Sequence, residues 1–504
     1  MHAPVISGTH GNHVEGPGDR AGRRLLVVGA AVAAAAAAAY LTAIAAHPLD
    51  ATLKGFDLRV YLGGAGQALR HGRELYQWTY DGHPGIQFTY TPFAALLFTA
   101  GRAVPFAAAM ALVTVASVLA LGVTVAIAFR ELGWRGTPRA GATLLVVGLA
   151  LWTEPVQRAL FLGQVEIVLM AVVTWDLCQP RGRRLAGAAA GVAAGVKLVP
   201  LLFIVYLLIT RRYRQAAVAG AAFAATVLIG FLVFPSASVT WWLRGDFLDA
   251  SRTGFVGDQQ NQSLLGLVTR LAGSVHGATL PWLLLAVPAA VAGLAAAAVL
   301  HRAGYSFAGL MTCALTALLV CPVSWDHHWV WVAPALALLL DAAIRRSPAR
   351  SKPASPVRAA IAVACYVLAT MVLVGYAAWP EFWSAKAGLL GGGLINYAPA
   401  SAWAYGDNPA YREYHWHGLQ LLAGNLEVII GAALFAVTLA AARTLIRTRS
   451  VGLRQPSSAP VPPGATPHPP DNSNLSRLHS LSVLAPPSLP ISFGWIFRTN
   501  GTRK

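Results

Sequence analysis

Asp57 stands in GFDLRVY (55–61), with Arg59 and Tyr61 close behind it. A carboxylate, a cation and a phenol within one helical turn can deprotonate an attacking hydroxyl and hold an anion beside it. GQVE (163–166) supplies Gln164 and Glu166, with Glu154 upstream, and TYTP (89–92) supplies Tyr90. GVKLVP (195–200) places Lys197, a compact cation suited to a phosphate, three residues before a helix-breaking proline. NQSL (261–264) offers Asn261, Gln262 and Ser263, donors and acceptors of the kind sugar hydroxyls need. SWDHH (324–328) adds Trp325, Asp326, His327 and His328. Together these groups would suit transfer of a sugar from a phosphate: Asp57 as base, Lys197, His327, His328 and Arg59 at the phosphate, and Tyr61, Tyr90, Gln164, Glu166, Asn261, Gln262, Ser263 and Trp325 facing sugar or acceptor.

Each motif has a plainer reading. Asp57 precedes a surface-helix pattern and could cap it. Glu166 could be an interfacial acid facing water, and Lys197 could snorkel to the headgroups. Asn261 or Ser263 could cap a helix, and Asn261-Gln262-Ser263 also spells a weak glycosylation acceptor. Asp326, His327 and His328 could suggest a metal, but adjacent histidines rarely share one centre and no HExxH spacing exists. No metal and no cofactor is expected. The HWH of 415–417 is a weaker signal still.

The elements that must position these groups are membrane helices. The chain of 504 residues is 56% hydrophobic and 12% charged, half the charge of a typical soluble domain. Apolar runs lie at 25–46, 89–129, 140–153, 161–178, 185–209, 215–234, 280–300, 306–321, 329–344, 359–378 and 425–445. The run at 185–209 holds Lys197 and Pro200 at mid-depth, so it is expected to break into two short helices there. The spacing of Leu58, Tyr61, Leu62, Ala65 and Leu69 predicts an amphipathic surface helix over 58–71. With the split, about twelve crossings result, an all-α polytopic membrane protein. A cytoplasmic tail (1–24), a transmembrane catalytic domain (25–446) and a disordered Pro-rich cytoplasmic tail (447–504) follow.

The net charge of +18 does not indicate a nucleic-acid binder, because the basic residues sit in short clusters between apolar runs and on the tails. About two-thirds of the 38 Lys and Arg fall on one face of this topology, which the positive-inside rule makes cytoplasmic together with both termini. The polar motifs fall on the other face, in or beside the outer pieces 47–89, 154–164, the turn near Lys197, 235–279, 322–328 and 379–424. The four cysteines lie in or beside apolar runs without CxxC spacing and form no disulfide framework. A secondary transporter would show inverted repeats and charges at the midplane; no clear repeat exists, and the polar groups gather at one face.

FDLRVY with GGAGQALRHGRELY, then QFTYTPFAALLF, GQVE, AGVAAGVKLVP, NQSL and SWDHH, occur in an order that resembles glycosyltransferase family 87. The resemblance covers roughly residues 20–445. It implies a GT-C fold in the plasma membrane, an extracytoplasmic site and an aspartate at position 57 as base. It also implies a polyprenyl-phosphate-mannose donor and a mannolipid or lipoglycan acceptor extended through α-(1→2) links. A β-linked donor giving an α-linked product requires inversion, hence one displacement and one base. An arabinofuranosyltransferase using polyprenyl-phosphate arabinose is the alternative.

Overall fold

A computed structural model of the chain describes residues 17–46, 55–82, 86–180, 182–345 and 412–452. The apolar run at 359–378, most of the expected outer loop 379–424 and the Pro-rich tail beyond 452 lie outside them. Helix α1 (Pro17–Ala46) is followed by α2 (Phe56–His71), α3 (Pro92–Phe98), α4 (Phe106–Glu131), α5 (Gly136–Ala150) and α6 (Glu154–Leu162). Next come α7 (Glu166–Leu177), α8 (Ala188–Val196), α9 (Leu201–Ile209), α10 (Tyr213–Val233) and α11 (Pro235–Ser238). The series continues with α12 (Leu264–Ala272), α13 (Val275–Arg302), α14 (Ser306–Val320) and α15 (Val332–Arg345), then α16 (Gly418–Ala423) and α17 (Leu426–Gly452).

Among the described residues, five stretches are long and apolar enough to cross a membrane: Arg20–Thr42, Phe106–Glu131, Tyr213–Val233, Val275–Arg302 and Leu426–Ile446. A sixth arises if α5 and α6, bent by 73° at their junction, count as one span. Twelve crossings are not shown by these residues, where several apolar runs fold as short helices. The run at 161–178 is interrupted at Gly163, and 185–209 splits into α8 and α9 on either side of Lys197. A helix of nine residues is about 14 Å long, under half of the ~30 Å hydrocarbon core. The chain is a helical membrane protein.

Lipid gives helices no hydrophobic reason to associate, so close backbone packing at small residues does the work. On α1 and α5, a Cβ at Gly141 would stand 2.6 Å from the Leu26 nitrogen, and one at Gly148 would stand 2.8 Å from that of Ala33. Along α8, Gly191 and Gly195 present the same kind of face to Ala219 and Thr226 of α10. A buried apolar core links these layers through Leu121, Val125, Phe129, Leu145, Ile167, Met170, Phe203 and Tyr206. A second core under α2 joins Leu58, Tyr61, Phe88, Tyr90, Ala94 and Trp241. It seats the predicted amphipathic helix on the ends of its neighbours, with Leu69 and Arg70 outward.

Candidate active site

Asp57 lies in the first turn of α2, where the positive end of the helix favours a carboxylate. It does not cap the helix. Gly55 holds the N-cap position with φ 68°, and its N–H bonds the Phe161 carbonyl at 2.8 Å. The turn between α6 and α7 comes against α2 at Gly163, itself left-handed (φ 72°), where a Cβ would stand 2.8 Å from that of Leu58. The glycine of GQVE therefore lets the next residue, Gln164, reach Asp57.

Gln164 is buried, and its amide is fully engaged. Nε2 donates to the Asp57 carboxylate and meets Nε2 of His327 at 3.0 Å, while Oε1 accepts from the Tyr61 hydroxyl at 2.5 Å and lies 3.3 Å from the Tyr90 hydroxyl. The Tyr61 and Tyr90 hydroxyls are 2.8 Å apart. Beyond Tyr90 lies Lys197 in the break between α8 and α9, in extended conformation. Its ammonium donates to Glu166, to Nε2 of His328 at 2.8 Å and to Tyr90 at 3.4 Å. The Thr91 hydroxyl caps α3 and donates to the Gly195 carbonyl, joining TYTP to GVKLVP. Asp57, Tyr61, Tyr90, Gln164, Glu166, Lys197, His327 and His328 thus form one connected centre.

The charges in this centre differ in part from the expectation. Nε2 of His327 lies 3.0 Å from the Gln164 amide nitrogen and its Nδ1 3.1 Å from Asp326. His328 accepts from Lys197; burial, then the charges of Lys197 and His327, hold its pKa well below the ordinary histidine value. His328 therefore adds no cation beside Lys197. Burial raises the pKa of Asp326, but Arg158 at 3.4 Å and the His327 bonds outweigh it and keep the group ionised. Asp57 goes the other way: burial first, then the Glu166 charge, lift it above the ordinary carboxylate range against His327, Gln164 and Arg158.

Glu166, His327 and His328 each bring a ligand atom within 4.8 Å of the others, a spacing that could hold a metal. Lys197 already binds two of the three and Gln164 the third. Oε2 of Glu166 makes no hydrogen bond among the described residues, which leaves it as an acceptor for a sugar hydroxyl.

Other expected site residues serve the scaffold. The Asn261 amide donates to the carbonyls of Val256 and Pro322 and accepts from the Ser324 N–H. Gln262 donates to the carbonyls of Gln259 and Gly424, and Ser263 caps α12 while bonding Pro322. These side chains hold the short bridge between Asn261 and Trp325 that delivers Asp326 and His327; they face backbone, and buried Asn261 is no glycosylation acceptor. The guanidinium of Arg59 stacks on Phe106 at 3.8 Å, pinning α2 to α4. The half-buried Trp325 packs towards Gly254. His417 bonds the His415 carbonyl within its own turn. Two buried arginines escaped the sequence reading. Arg158 steadies Asp326, and Arg270 bonds Asn425, Asp258 and Asn261 beneath the bridge. Arg158 was readable as a lone cation in the apolar stretch after Glu154.

A carboxylate in the first turn of a surface helix is thus linked by hydrogen bonds to a cation at a break between two short apolar helices. The chain belongs to glycosyltransferase family 87, whose profile matches residues 88–322; this region includes Tyr90, Gln164, Glu166 and Lys197. Two relatives carry the name polyprenol-phosphate-mannose-dependent alpha-(1-2)-phosphatidylinositol pentamannoside mannosyltransferase. The one from Mycobacterium tuberculosis is 37% identical over 305 residues, 59% of this chain and 68% of the relative. The one from Mycolicibacterium smegmatis is 35% identical over 292 residues, 56% and 69% respectively. A polyprenol-phosphate-mannose-dependent alpha-(1-2)-phosphatidylinositol mannoside mannosyltransferase of Mycobacterium tuberculosis is 30% identical over 298 residues, 56% and 69%. No solved structure matches the chain.

Proposed function

We propose that this glycosyltransferase moves mannose from a polyprenyl-phosphate donor to a phosphatidylinositol-mannoside or lipoglycan acceptor, forming α-(1→2) links with inversion. Asp57 takes the proton of the acceptor hydroxyl as its oxygen bonds to the anomeric carbon. The bond from that carbon to the phosphate oxygen breaks at the same time, and its electrons leave with the lipid phosphate. Lys197 meets the charge that grows there. The observation that carries the reading is the single connected centre: base and cation are joined through Gln164, Tyr61 and Tyr90.

The fold is of GT-C type in this proposal. The site opens on the extracytoplasmic side, and both termini are cytoplasmic. The one-sided gathering of Lys and Arg in the opposite loops supports that orientation. No metal takes part, because the ammonium of Lys197 already bonds Glu166 and His328. Purified protein with labelled polyprenyl-phosphate mannose, the arabinose counterpart and a panel of mannolipids tests the reading. Mannosylated acceptor insensitive to chelator is the expected product; arabinose transfer alone would overturn the donor assignment, and loss of transfer with EDTA would overturn the metal-free mechanism.

A further inference from the structure

We infer that Tyr90, Tyr61 and Gln164 form a one-way hydrogen-bond relay that fixes the carboxylate of Asp57 and ties it to Lys197, so that Gln164 is a positioning residue and not a sugar ligand. The inference rests on Asp57 being the base. Its direction follows from what each group can donate. An ionised carboxylate only accepts, so the Gln164 amide must turn its nitrogen to Asp57. Its oxygen then faces the tyrosines, and the 2.5 Å contact takes the Tyr61 proton. Having given that proton away, Tyr61 can only accept in its 2.8 Å contact with Tyr90, whose own proton is therefore committed. Tyr90 is left to accept from Lys197, which only donates. The second N–H of Gln164 goes to Nε2 of His327, whose other nitrogen is held by Asp326.

Each N–H and O–H in the series therefore points from the cation towards the base. Such chains polarise one another cooperatively in a low-dielectric setting. Gln164 is 4% exposed, both its N–H groups are given away, and its oxygen accepts from Tyr61 with the Tyr90 oxygen 3.3 Å off, so a sugar hydroxyl could reach it only by displacing one of these neighbours. Besides Gln164, the charged and titratable groups acting on Asp57 are His327, Glu166, Arg158 and Tyr61. Among them Gln164 stabilises the ionised carboxylate through the hydrogen bond itself.

The test compares full-length wild type with Gln164→Leu, Tyr61→Phe, Asp57→Asn and the Gln164→Leu/Asp57→Asn double variant. The substrates are polyprenyl-phosphate mannose and a phosphatidylinositol mannoside, assayed across pH. Gln164→Leu is expected to lower kcat about 100-fold, as misplacing a reacting group does, with donor and acceptor KM within about threefold. The acid limb of kcat/KM should move to higher pH, because the carboxylate loses a bond that favours its ionised form. Measured against the residual transfer of Asp57→Asn, the double variant should lose nothing more. Tyr61→Phe should move kcat and the acid limb in the same directions by less, and it carries both readouts if Gln164→Leu does not fold. A raised KM with unchanged kcat and an unmoved acid limb would make Gln164 a substrate ligand and overturn the relay. Full activity in Asp57→Asn alone would instead overturn the base assignment, and the relay with it.

Discussion

Replacing Lys197 with methionine separates two things this residue does. Its side chain is 20% exposed and that of its partner Glu166 is 8% exposed. Removing one member of a buried ion pair leaves the other charge without compensation, at about 3–5 kcal/mol. Water reaching Lys197 places this pair at the lower end, about 3 kcal/mol. The same change removes the cation facing the leaving phosphate, worth on the order of 100–1,000-fold in kcat where one such donor is deleted. Adding Glu166→Gln removes the orphaned charge and should restore most of the lost stability, read as the thermal midpoint in detergent. It cannot restore the cation, so transfer of labelled mannose from the lipid donor should stay lost. If the double variant recovers activity to within about tenfold of wild type, Lys197 serves only to neutralise Glu166 and the phosphate assignment is wrong.

Asp57→Asn should reduce kcat by a factor on the order of 100 to 10,000, the range of a general base, with an unchanged thermal midpoint. In the wild type the base must be ionised, so activity falls as pH drops through the pKa of Asp57. Burial raises that pKa, so the acid limb should lie above the ordinary carboxylate range. Asp258, lifted by burial from 3.8 to about 6, binds its proton more tightly folded than unfolded. Its contribution to stability is full below about pH 3.8 and fades as pH rises through about 6, up to about 3 kcal/mol. Asp258→Asn should flatten that fall in a thermal-unfolding series between these pH values. Asn261→Ala leaves the Ser324 N–H and the Val256 carbonyl without their partner, while Ser263 still bonds the Pro322 carbonyl, at about 1–3 kcal/mol for each group left unsatisfied. It should lower the thermal midpoint and kcat together; a change confined to KM would restore it as a sugar contact.

Much of the centre was legible because membrane helices make polar residues conspicuous. Lys197 in an apolar run before Pro200 forecast a break, and the backbone breaks there. The interruption near Arg102 and Pro105 likewise appears as short α3 and a 3-10 turn ahead of α4. Periodicity over 58–71 matched α2 and placed Asp57 at its start. Partners were harder to read than positions. Composition cannot say whether Asn261 faces a sugar or the Pro322 carbonyl, since the same amide suits both. Nor does it reveal that His328 is buried against a lysine, which turns an expected cation into an acceptor. Helix boundaries were harder to read for a related reason: hydropathy registers apolar length, while Gly163 and Lys197 decide where that length is cut.

In the proposed reaction one cation at the phosphate matches the charge of the leaving group. The departing group is a single lipid phosphate, whereas a nucleotide-sugar donor releases a nucleoside diphosphate whose larger charge commonly requires a divalent ion. Among the described residues, Lys197 has Glu166 on one side and the neutral ring of His328 on the other. Phosphate oxygens approaching this ammonium must compete with one carboxylate. If the phosphate wins, Glu166 is left facing the sugar with both oxygens available, one of them already without a hydrogen bond. Donor binding would then prepare the acceptor that a sugar hydroxyl requires, in the same step that draws the cation to the phosphate. The hydrogen bonds from Lys197 through Tyr90 and Tyr61 to Gln164 connect the ammonium where this exchange would occur to the Asp57 carboxylate.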